Sequence, residues 1–326
     1  MPAFDLIEGG RILGEALDGA PEELQTPPER PTAEEARLWC RHLATTHYEN
    51  FHVATRFLPT QVRPHFESLY AFCRVSDDLG DEVASPAIAM RLLTTWRQML
   101  DECYDYPERS RHPVFVALHE TIVDRKLPRE LFHDLITAFQ QDQVKTAYTT
   151  WEELCEYSRK SANPVGRLVL QVCEYCDETR AQLSDDICTA LQLANFWQDV
   201  VEDAERGRRY LPAEYMEAFG VEDGQLEGRV FTPEYRGMMK ALVERTREML
   251  HRGGALVTTV DHELAVTLNL FRKGGDAILD GITAQNYDTL GGRPVVTKAK
   301  KLQLLGGALL EKFRLRRITG TGAARQ

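Results

Sequence analysis

The chain has 326 residues, of which 43% are hydrophobic, so it is long enough to bury one large core. Its 39 Lys and Arg residues against 50 Asp and Glu residues give a net charge of −11. This balance excludes a general nucleic-acid binder, because such a protein needs a basic surface to neutralise phosphates. No apolar run approaches the roughly 20 residues of a membrane span, and no secretory signal is visible at the N-terminus. We therefore expect a cytoplasmic protein that at most touches the inner face of a membrane.

The seven cysteines are scattered, odd in number and mostly set in apolar helical segments. This usage predicts reduced thiols that serve as small core residues. Cys173 and Cys176 have the C-x-x-C spacing, but they lack a second pair and a βαβ context. We therefore expect neither a metal site nor a redox site there.

The first part of the chain divides into a leader and a series of helices. Residues 1–31 contain Gly, Pro and acidic residues without sustained periodicity, which predicts a loose leader. Thr32 is a predicted N-cap, since acidic residues occupy the turn that follows it. A further helix is predicted from about Pro64 to just before Pro86. Two proline-bounded segments then follow, "HPVFVALHETIVDRKLP" and "PRELFHDLITAFQQDQVKTAY".

The second part continues the helical pattern. Thr150 and Glu153 form a predicted capping box, and Thr232 followed by proline is a predicted N-cap. Further helices are expected from Ser184 to Gly207, at about 262–283 and at about 297–314. No strand alternation and no repeat is visible. The fold prediction is all-α: a single domain over residues 32–315 with roughly ten helices, followed by a flexible tail at 316–326.

The segment "YAFCRVSDDLGDE" concentrates carboxylates at the end of an apolar helix. At about 100° per residue, its polar side chains share an arc of roughly 100°. These residues are Tyr70, Arg74, Asp77, Asp78 and Asp81. The segment "LQLANFWQDVVEDAERGRRYLP" repeats the pattern about 120 residues later. Here one stripe contains Gln192, Asn195, Asp199 and Asp203, whereas Gln198 and Glu202 point away.

A single stripe of this kind is most often a solvated helix face. Two observations favour a cation site instead. Both stripes directly continue an apolar helical segment, and buried amides and carboxylates need partners. Mg²⁺ binds through a few carboxylates and completes its shell with water and phosphate oxygens. Arg206, Arg208 and Arg209 follow the second stripe and can contact outer phosphate oxygens. The pattern thus predicts a site for Mg²⁺ and a diphosphate.

Five segments in family order resemble the squalene/phytoene synthase family of head-to-head prenyl transferases. They are "HYENFHVATRFLP", "LYAFCRVSDDLGDE", "YTTWEELCEYSRKSANPVGRLVL", "LQLANFWQDVVEDAERGRRYLP" and "AQNYDTLGGRPVVTKAKKL", and together they span about residues 38–312. The resemblance implies the isoprenoid synthase fold around a central apolar cavity. It also implies about two or three Mg²⁺ ions per active site and a prenyl or presqualene diphosphate substrate.

The resemblance also implies roles for individual residues. The implied metal ligands are Asp77, Asp78, Asp81, Asn195, Asp199 and Asp203. The same aspartates are implied to be catalytic, together with Tyr70 and Tyr210. The implied contacts to the substrate or its diphosphate are Tyr48, Asn50, Phe51, Arg74, Gln192, Asn195 and Arg208.

Two departures from the family pattern bear on the reaction. The usual His-Ser-x-Ser-Phe segment is His47-Tyr48-Glu49-Asn50-Phe51 here, and Gln198 replaces the arginine of Asn-x-x-Arg-Asp. "HYENF", "SANPVG" and "NFWQD" most resemble the bacterial hopanoid-pathway hydroxysqualene synthase subfamily. That likeness implies ionisation of presqualene diphosphate, rearrangement of the cation and capture by water. No dinucleotide fingerprint is visible, so we expect no NADPH requirement.

Two other hypotheses stay open. One is condensation of two prenyl diphosphates to presqualene diphosphate, squalene or phytoene. The other is an inactive assembly or scaffold protein, although such a chain would be expected to lose the aspartates that are all present here. "SANPVG" at 161–166 predicts a helix break beside the cavity. The basic, amphipathic C-terminal segment from Thr297 is most often typical of a final helix packed on the core, and its alternative interpretation is contact with an anionic membrane surface. Functional coupling to other squalene-pathway enzymes is a further hypothesis.

Overall fold

The computed structural model describes residues 17–46 and 57–320. Within these ranges the secondary structure is helical, apart from two isolated β-bridges, so the all-α prediction is confirmed. The described chain groups into two compact units. One contains residues 17–46, 60–145 and 168–174, and the other contains 57–59, 146–167 and 175–320. The division into a leader, one domain and a tail stays a prediction.

The first unit is built from five long helices and the end of a sixth. They are α1 (Ala33–Thr46), α2 (Arg63–Asp81), α3 (Pro86–Asp105), α4 (Pro113–Arg125), α5 (Arg129–Asp142) and the second half of α7 (Asn163–Val172). Prolines begin several of these helices because the first turn needs no N–H from its first residue. The N-cap prediction for Thr32 is confirmed, since its hydroxyl accepts a hydrogen bond from Glu35 N at 3.2 Å.

An aromatic cluster forms the core of the first unit. Phe72 of α2 lies among Trp96, Phe115 and Phe132, with ring centroids 4.9–6.3 Å away, and none of the four is exposed. Trp96 Nε1 donates to Ser76 Oγ at 2.9 Å, which satisfies the indole inside the core. The cluster fixes α2, and therefore the first acidic stripe, against α3, α4 and α5.

The second unit contains α6 (Trp151–Ser161), the first half of α7, α8 (Glu178–Gln198), α9 (Val200–Glu205), α10 (Ala213–Phe219), α11 (Asp223–Glu227), α12 (Pro233–Gly253), α13 (His262–Ala284) and α14 (Lys298–Gly320). Short 3-10 helices occur at Glu22–Leu24 and Pro107–Arg109 in the first unit and at Gly254–Thr258 in the second. The predicted caps at Thr150 and Thr232 are confirmed by hydrogen bonds from Glu153 N at 3.1 Å and Tyr235 N at 3.2 Å.

The helix predicted from Ser184 to Gly207 is wrong at its start and in its continuity. It begins at Glu178, where the side chain of Asp177 accepts from Arg180 N at 3.0 Å. Ser184 is instead a buried residue inside α8. The helix also ends at Gln198, because Asp199 departs from helical geometry at φ −104° and ψ 18°, and α9 begins at Val200.

Helix α8 packs closely against its neighbours through glycines on other helices. A Cβ added to Gly166 of α7 would lie 2.5 Å from Cys188 Sγ and closer still to Ser184 Oγ. A Cβ on Gly253 of α12 would lie 2.7 Å from Leu183 O, and one on Gly275 of α13 would lie 2.6 Å from Leu191 Cδ2. These approaches are closer than any side chain allows, so the glycines set the position of α8 and of the second acidic stripe at its C-terminal end.

The remaining structural expectations have mixed outcomes. The helix break in "SANPVG" is confirmed, since α6 ends at Ser161 and α7 begins at Asn163. All seven cysteines are free, as predicted, and burial raises the pKa of Cys40, Cys73, Cys103 and Cys188 to about 12. No helix in the described part of the chain is long and apolar enough to cross a bilayer. The central apolar cavity stays a prediction.

Candidate active site

The first acidic stripe runs along the second half of α2. Arg74 holds Asp78 through an Nε–Oδ2 hydrogen bond of 3.0 Å and a second, shorter contact from Nη2 to Oδ1. Asp77 is more weakly held, with 4.0 Å between its Oδ2 and Arg74 Nη1. A bidentate guanidinium pair is both strong and geometrically specific. The stripe therefore presents one carboxylate that is paired closely with an arginine and a second that the same arginine holds more weakly.

The solvent exposure of the charged side chains differs along the stripe. The side chain of Asp78 is 10% exposed and that of Arg74 is 21% exposed, whereas that of Asp77 is 49% exposed. Asp81, at the last turn of the helix, is exposed. Tyr70 is buried one turn before Arg74. Exposure along the predicted arc thus increases from a buried aromatic end to a solvent-accessible acidic end.

The end of α2 is held by a side chain that the sequence did not point to. Gln143, just after α5, donates through Nε2 to Gly80 O at 3.2 Å and to Phe139 O at 3.1 Å. The last carbonyls of a helix lack partners within the helix. Gln143 supplies one here, which fixes the turn that carries Asp77, Asp78 and Asp81.

The second stripe lies where α8 meets α9. Gln192 is half-buried and Asn195 is exposed on α8, while Asp199 occupies the junction and Asp203 lies one turn into α9. Backbone hydrogen bonds from Asp199 N to Asn195 O at 2.9 Å and from Asp203 N to Asp199 O at 2.8 Å keep the three residues one turn apart. The interruption at Asp199 therefore preserves the predicted alignment of Asn195, Asp199 and Asp203.

The carboxyl group of Asp203 is strongly affected by its surroundings. Burial, and after it the neighbouring charge of Asp199, raise the pKa of Asp203 from 3.8 to about 7, while Arg208 opposes this shift. Arg208 is half-buried, and its backbone N–H donates to Asp203 O at 2.8 Å. A part-buried carboxyl group beside a second one favours the binding of positive charge. The donor set therefore fits a hard divalent cation.

One residue absent from the sequence-based prediction completes this site. Arg293 donates from Nε to Asp199 Oδ1 at 2.5 Å and from Nη2 to Asp199 Oδ2 at 3.2 Å. Its Nε also lies 3.4 Å from Glu202 Oε2. These carboxylates raise the pKa of Arg293. The only signal in the sequence is a single arginine within "GGRPVV", about 95 residues from its partner.

An aromatic cluster adjoins the second stripe. Tyr210 stacks on Phe196 with ring centroids 3.8 Å apart and planes 8° apart. Tyr157 lies 6.0 Å and Tyr148 lies 5.7 Å from Tyr210, centroid to centroid. Aromatic faces stabilise cations, and Tyr210 was predicted to lie near the substrate. Phe72, by contrast, is enclosed by the core of the first unit and is a packing residue.

Three of the predicted site residues, Tyr48, Asn50 and Phe51, lie outside the described residues. In the part of the chain that is described, no three His, Cys, Asp or Glu side chains converge as a preformed metal site. Mg²⁺ commonly uses one or two carboxylates together with water and substrate phosphates, so each stripe retains a donor set that fits it. The roles of the individual residues stay predictions.

The chain has relatives of known fold and activity. The family model for squalene/phytoene synthase matches residues 44–300. Phytoene synthase 3 of Zea mays is 31% identical over 285 residues, which cover 84% of this chain but only 64% of the maize protein. Hydroxysqualene synthase of Zymomonas mobilis is also 31% identical, over 78% of this chain and 85% of that protein.

Solved structures give the same family. The crystal structure of squalene synthase HpnC from Alicyclobacillus acidocaldarius is 40% identical, with a TM-score of 0.74 over 83% of this chain and 98% of that chain. A dehydrosqualene synthase at 22% identity shares the fold, with a TM-score of 0.75 over 87% of this chain and 98% of that one. The chain has the isoprenoid synthase fold and belongs to the squalene/phytoene synthase family of head-to-head prenyl transferases.

Proposed function

We propose that the protein converts presqualene diphosphate into hydroxysqualene in bacterial squalene and hopanoid biosynthesis. The observation that carries this proposal is the second stripe, where Asp199 and the half-buried Asp203 lie one turn apart as oxygen donors that fit a divalent cation. The likeness to hydroxysqualene synthase of Zymomonas mobilis supports this product, and the likeness to squalene synthase HpnC supports a role in squalene biosynthesis. The replacement of the motif arginine by Gln198 agrees with a departure from phytoene synthesis.

The proposed reaction begins with loss of diphosphate. The C–O bond of the substrate breaks, and the diphosphate leaves with the electron pair. The first stripe would hold Mg²⁺ through Asp77, Asp78 and Asp81, and the second stripe would hold it through Asn195, Asp199 and Asp203. Bound Mg²⁺ would supply positive charge for the departing group. Arg74 and Arg208 add charge of the same sign beside their stripes.

The carbon skeleton then rearranges as a carbocation. Phe196 and Tyr210 present stacked aromatic faces next to the second stripe, where they exclude bulk water and stabilise positive charge. One water molecule finally forms a C–O bond with the cation and loses a proton. None of these steps consumes a reductant, so the proposed reaction requires no NADPH.

A product assay tests this proposal. The protein with Mg²⁺ is offered presqualene diphosphate and farnesyl diphosphate separately, each with and without NADPH. The expected result is an alcohol from presqualene diphosphate without NADPH. Presqualene diphosphate, squalene or phytoene from prenyl diphosphates alone would instead identify a condensing synthase, a function favoured by the 31% identity to phytoene synthase 3 of Zea mays.

A thermal-shift measurement, together with the product assay, separates an enzyme from an inactive scaffold. Mg²⁺ with inorganic pyrophosphate should raise the melting temperature, because a ligand that binds only the native state stabilises it. A scaffold that had lost the site would show neither this stabilisation nor any product. Asp199→Asn serves as the control and should lose the stabilisation.

We further propose that the protein works at the inner face of the cytoplasmic membrane, where it receives its apolar substrate. Helix α14 and the residues before it expose Val295, Leu302 and Leu310, which are 64%, 70% and 65% exposed. Lys298 and Lys301 are exposed beside them, and no acidic residue occurs between Asp288 and Glu311. An apolar, basic surface fits an anionic bilayer.

Sedimentation with vesicles measures this contact. Vesicles with anionic lipid should bind the protein, neutral vesicles should not, and salt should weaken the binding. The double variant Leu302→Glu with Leu310→Glu should reduce binding at unchanged turnover of dispersed substrate. Coupling to other squalene-pathway enzymes would add a protein partner to the same surface.

A further inference from the structure

The segment between α13 and α14 is fastened to the second unit at two points. Near its start, Thr289 Oγ1 shares a buried hydrogen bond of 2.7 Å with Tyr235 OH. Asp288 Oδ1 accepts from Gly291 N at 2.8 Å, which shapes the turn. Further along, Pro294 is buried, and a Cβ added to Gly281 of α13 would lie 3.8 Å from Pro294 Cβ. The segment is therefore anchored to the second unit on both sides of Arg293.

Gln198 forms the second anchoring contact of the segment between α13 and α14. Its side chain is buried at the last residue of α8. The amide Nε2 donates to Pro294 O in a short hydrogen bond, and Oε1 accepts from Arg293 Nη2 at 3.4 Å. Both polar atoms of the amide are thus used on two adjacent residues of one segment. A buried amide satisfied in this way orients its partners.

The arginine that Gln198 contacts also binds the neighbouring residue, Asp199. The guanidinium of Arg293 covers both carboxylate oxygens of Asp199, at 2.5 and 3.2 Å, and so occupies the group that a cation would use. Because the charge of Arg293 is permanent, it competes with a cation for Asp199 at every physiological pH. Gln198 holds this arginine through Pro294 and through Nη2, although it touches no substrate itself.

We propose that Gln198 is a positioning residue, which holds Arg293 on Asp199 as an internal counter-ion that a bare divalent cation must displace. The inference rests on the proposed function for the identity of the cation. It gives a role to the residue that stands where the family pattern has an arginine. The positive charge next to Asp199 comes here from the segment after α13, and the amide keeps that charge in place.

Two variants and a matched control test this proposal. Gln198→Met keeps nearly the shape of the side chain but removes both hydrogen bonds. Arg293→Ala removes the counter-ion. Gln182→Met makes the same chemical change on an exposed face of α8, where the amide Nε2 lies 3.4 Å from Glu178 Oε1. Thermal melting checks that all three variants are folded.

The first readout needs no metal. The Nε–Hε signal of Arg293, assigned by its disappearance in Arg293→Lys, is recorded by NMR in the presence of EDTA. A guanidinium held on a carboxylate exchanges its Hε slowly. The signal should persist in the wild type and in Gln182→Met, and it should broaden or vanish in Gln198→Met. An unchanged signal in Gln198→Met would overturn the positioning role.

The second readout is the binding of Mn²⁺ alone, measured by EPR without diphosphate. Arg293→Ala should bind Mn²⁺ roughly tenfold more tightly, as expected when one charge-assisted competitor is lost. Gln198→Met should shift the affinity in the same direction by a smaller factor, and Gln182→Met should not shift it. Equal affinities in the wild type and Arg293→Ala would overturn the counter-ion role.

A failure of the proposed function has a different signature. A wild type that binds neither Mn²⁺ nor Mg²⁺ with pyrophosphate, and that forms no product, would refute the proposed enzyme. The NMR readout would still decide whether Gln198 positions Arg293, because it reports the metal-free protein.

Discussion

Phe196 and Tyr210 stack face to face, with ring centroids 3.8 Å apart and planes 8° apart, although they belong to different segments of the chain. Phe196 lies on α8 between Asn195 and Asp199, and Tyr210 follows the basic run after α9. The stack therefore places an aromatic surface immediately beside the second acidic stripe. This contact links the proposed ionisation to the proposed stabilisation of a cation.

Phe196→Leu should lower turnover about twofold to thirtyfold, because a cation–π contact is worth about 0.5–2 kcal/mol. Product analysis and steady-state rates measure this effect. Phe72→Leu is the matched control, since it removes an equivalent ring from the core of the first unit. It should lower the melting temperature without a comparable loss of turnover, and the opposite pattern would contradict the assignment of the two rings.

Asp78→Asn should reduce turnover by at least about a hundredfold, the usual scale for loss of an electrostatic group in a reaction site. The variant removes the charge that pairs with Arg74 and the predicted metal ligand together, yet keeps the shape of the side chain. Asp105→Asn is the control, because Asp105 also pairs with an arginine, Arg129 at 3.1 Å, but is exposed and distant from the stripe in sequence. Wild-type rates in Asp78→Asn would refute the role of the first stripe.

Asp203 predicts a pH dependence of stability in the metal-free protein. Its pKa is about 7 in the folded state against 3.8 ordinarily, so the folded state binds the proton more tightly. The favourable contribution is complete below pH 3.8 and is lost as the pH rises towards and through 7. Asp203→Asn should therefore gain more in melting temperature over the wild type at pH 8 than at pH 5, in EDTA. An equal gain at both values would show that Asp203 titrates normally.

Gly166→Ala should destabilise the protein by about 1–3 kcal/mol, because the added methyl group would overlap Ser184 and Cys188 of α8. Gly274→Ala is the control: it lies inside α13, where an added Cβ meets nothing within 4 Å. This control should stabilise the protein by about 0.5–1 kcal/mol through its helix propensity. Urea unfolding of both variants measures the difference, and a neutral Gly166→Ala would contradict the close packing of α7 on α8.

Local patterns in the sequence were sufficient for the helices and for the composition of the two stripes. Thr32, Thr150 and Thr232 cap helices where predicted, since capping depends on residues within one turn. Asn195, Asp199 and Asp203 align for the same reason. The predicted start at Ser184 failed because Asp177 offers a competing cap with equal local chemistry, and only packing against Gly166 shows that Ser184 is buried.

The ion pairs and pKa shifts around the stripes could not be predicted from local patterns in the sequence. Arg293 reaches Asp199 from about 95 residues away, and no periodicity connects positions so distant. The raised pKa of Asp203 depends on burial and on the distance to Asp199, both of which are set by folding. The sequence alone thus determined the helical fold, the family and the candidate ligands, because these depend on local periodicity and motif spacing. Tertiary structure decided which carboxylates pair with an arginine, and that Gln198 and Arg293 lie beside Asp199.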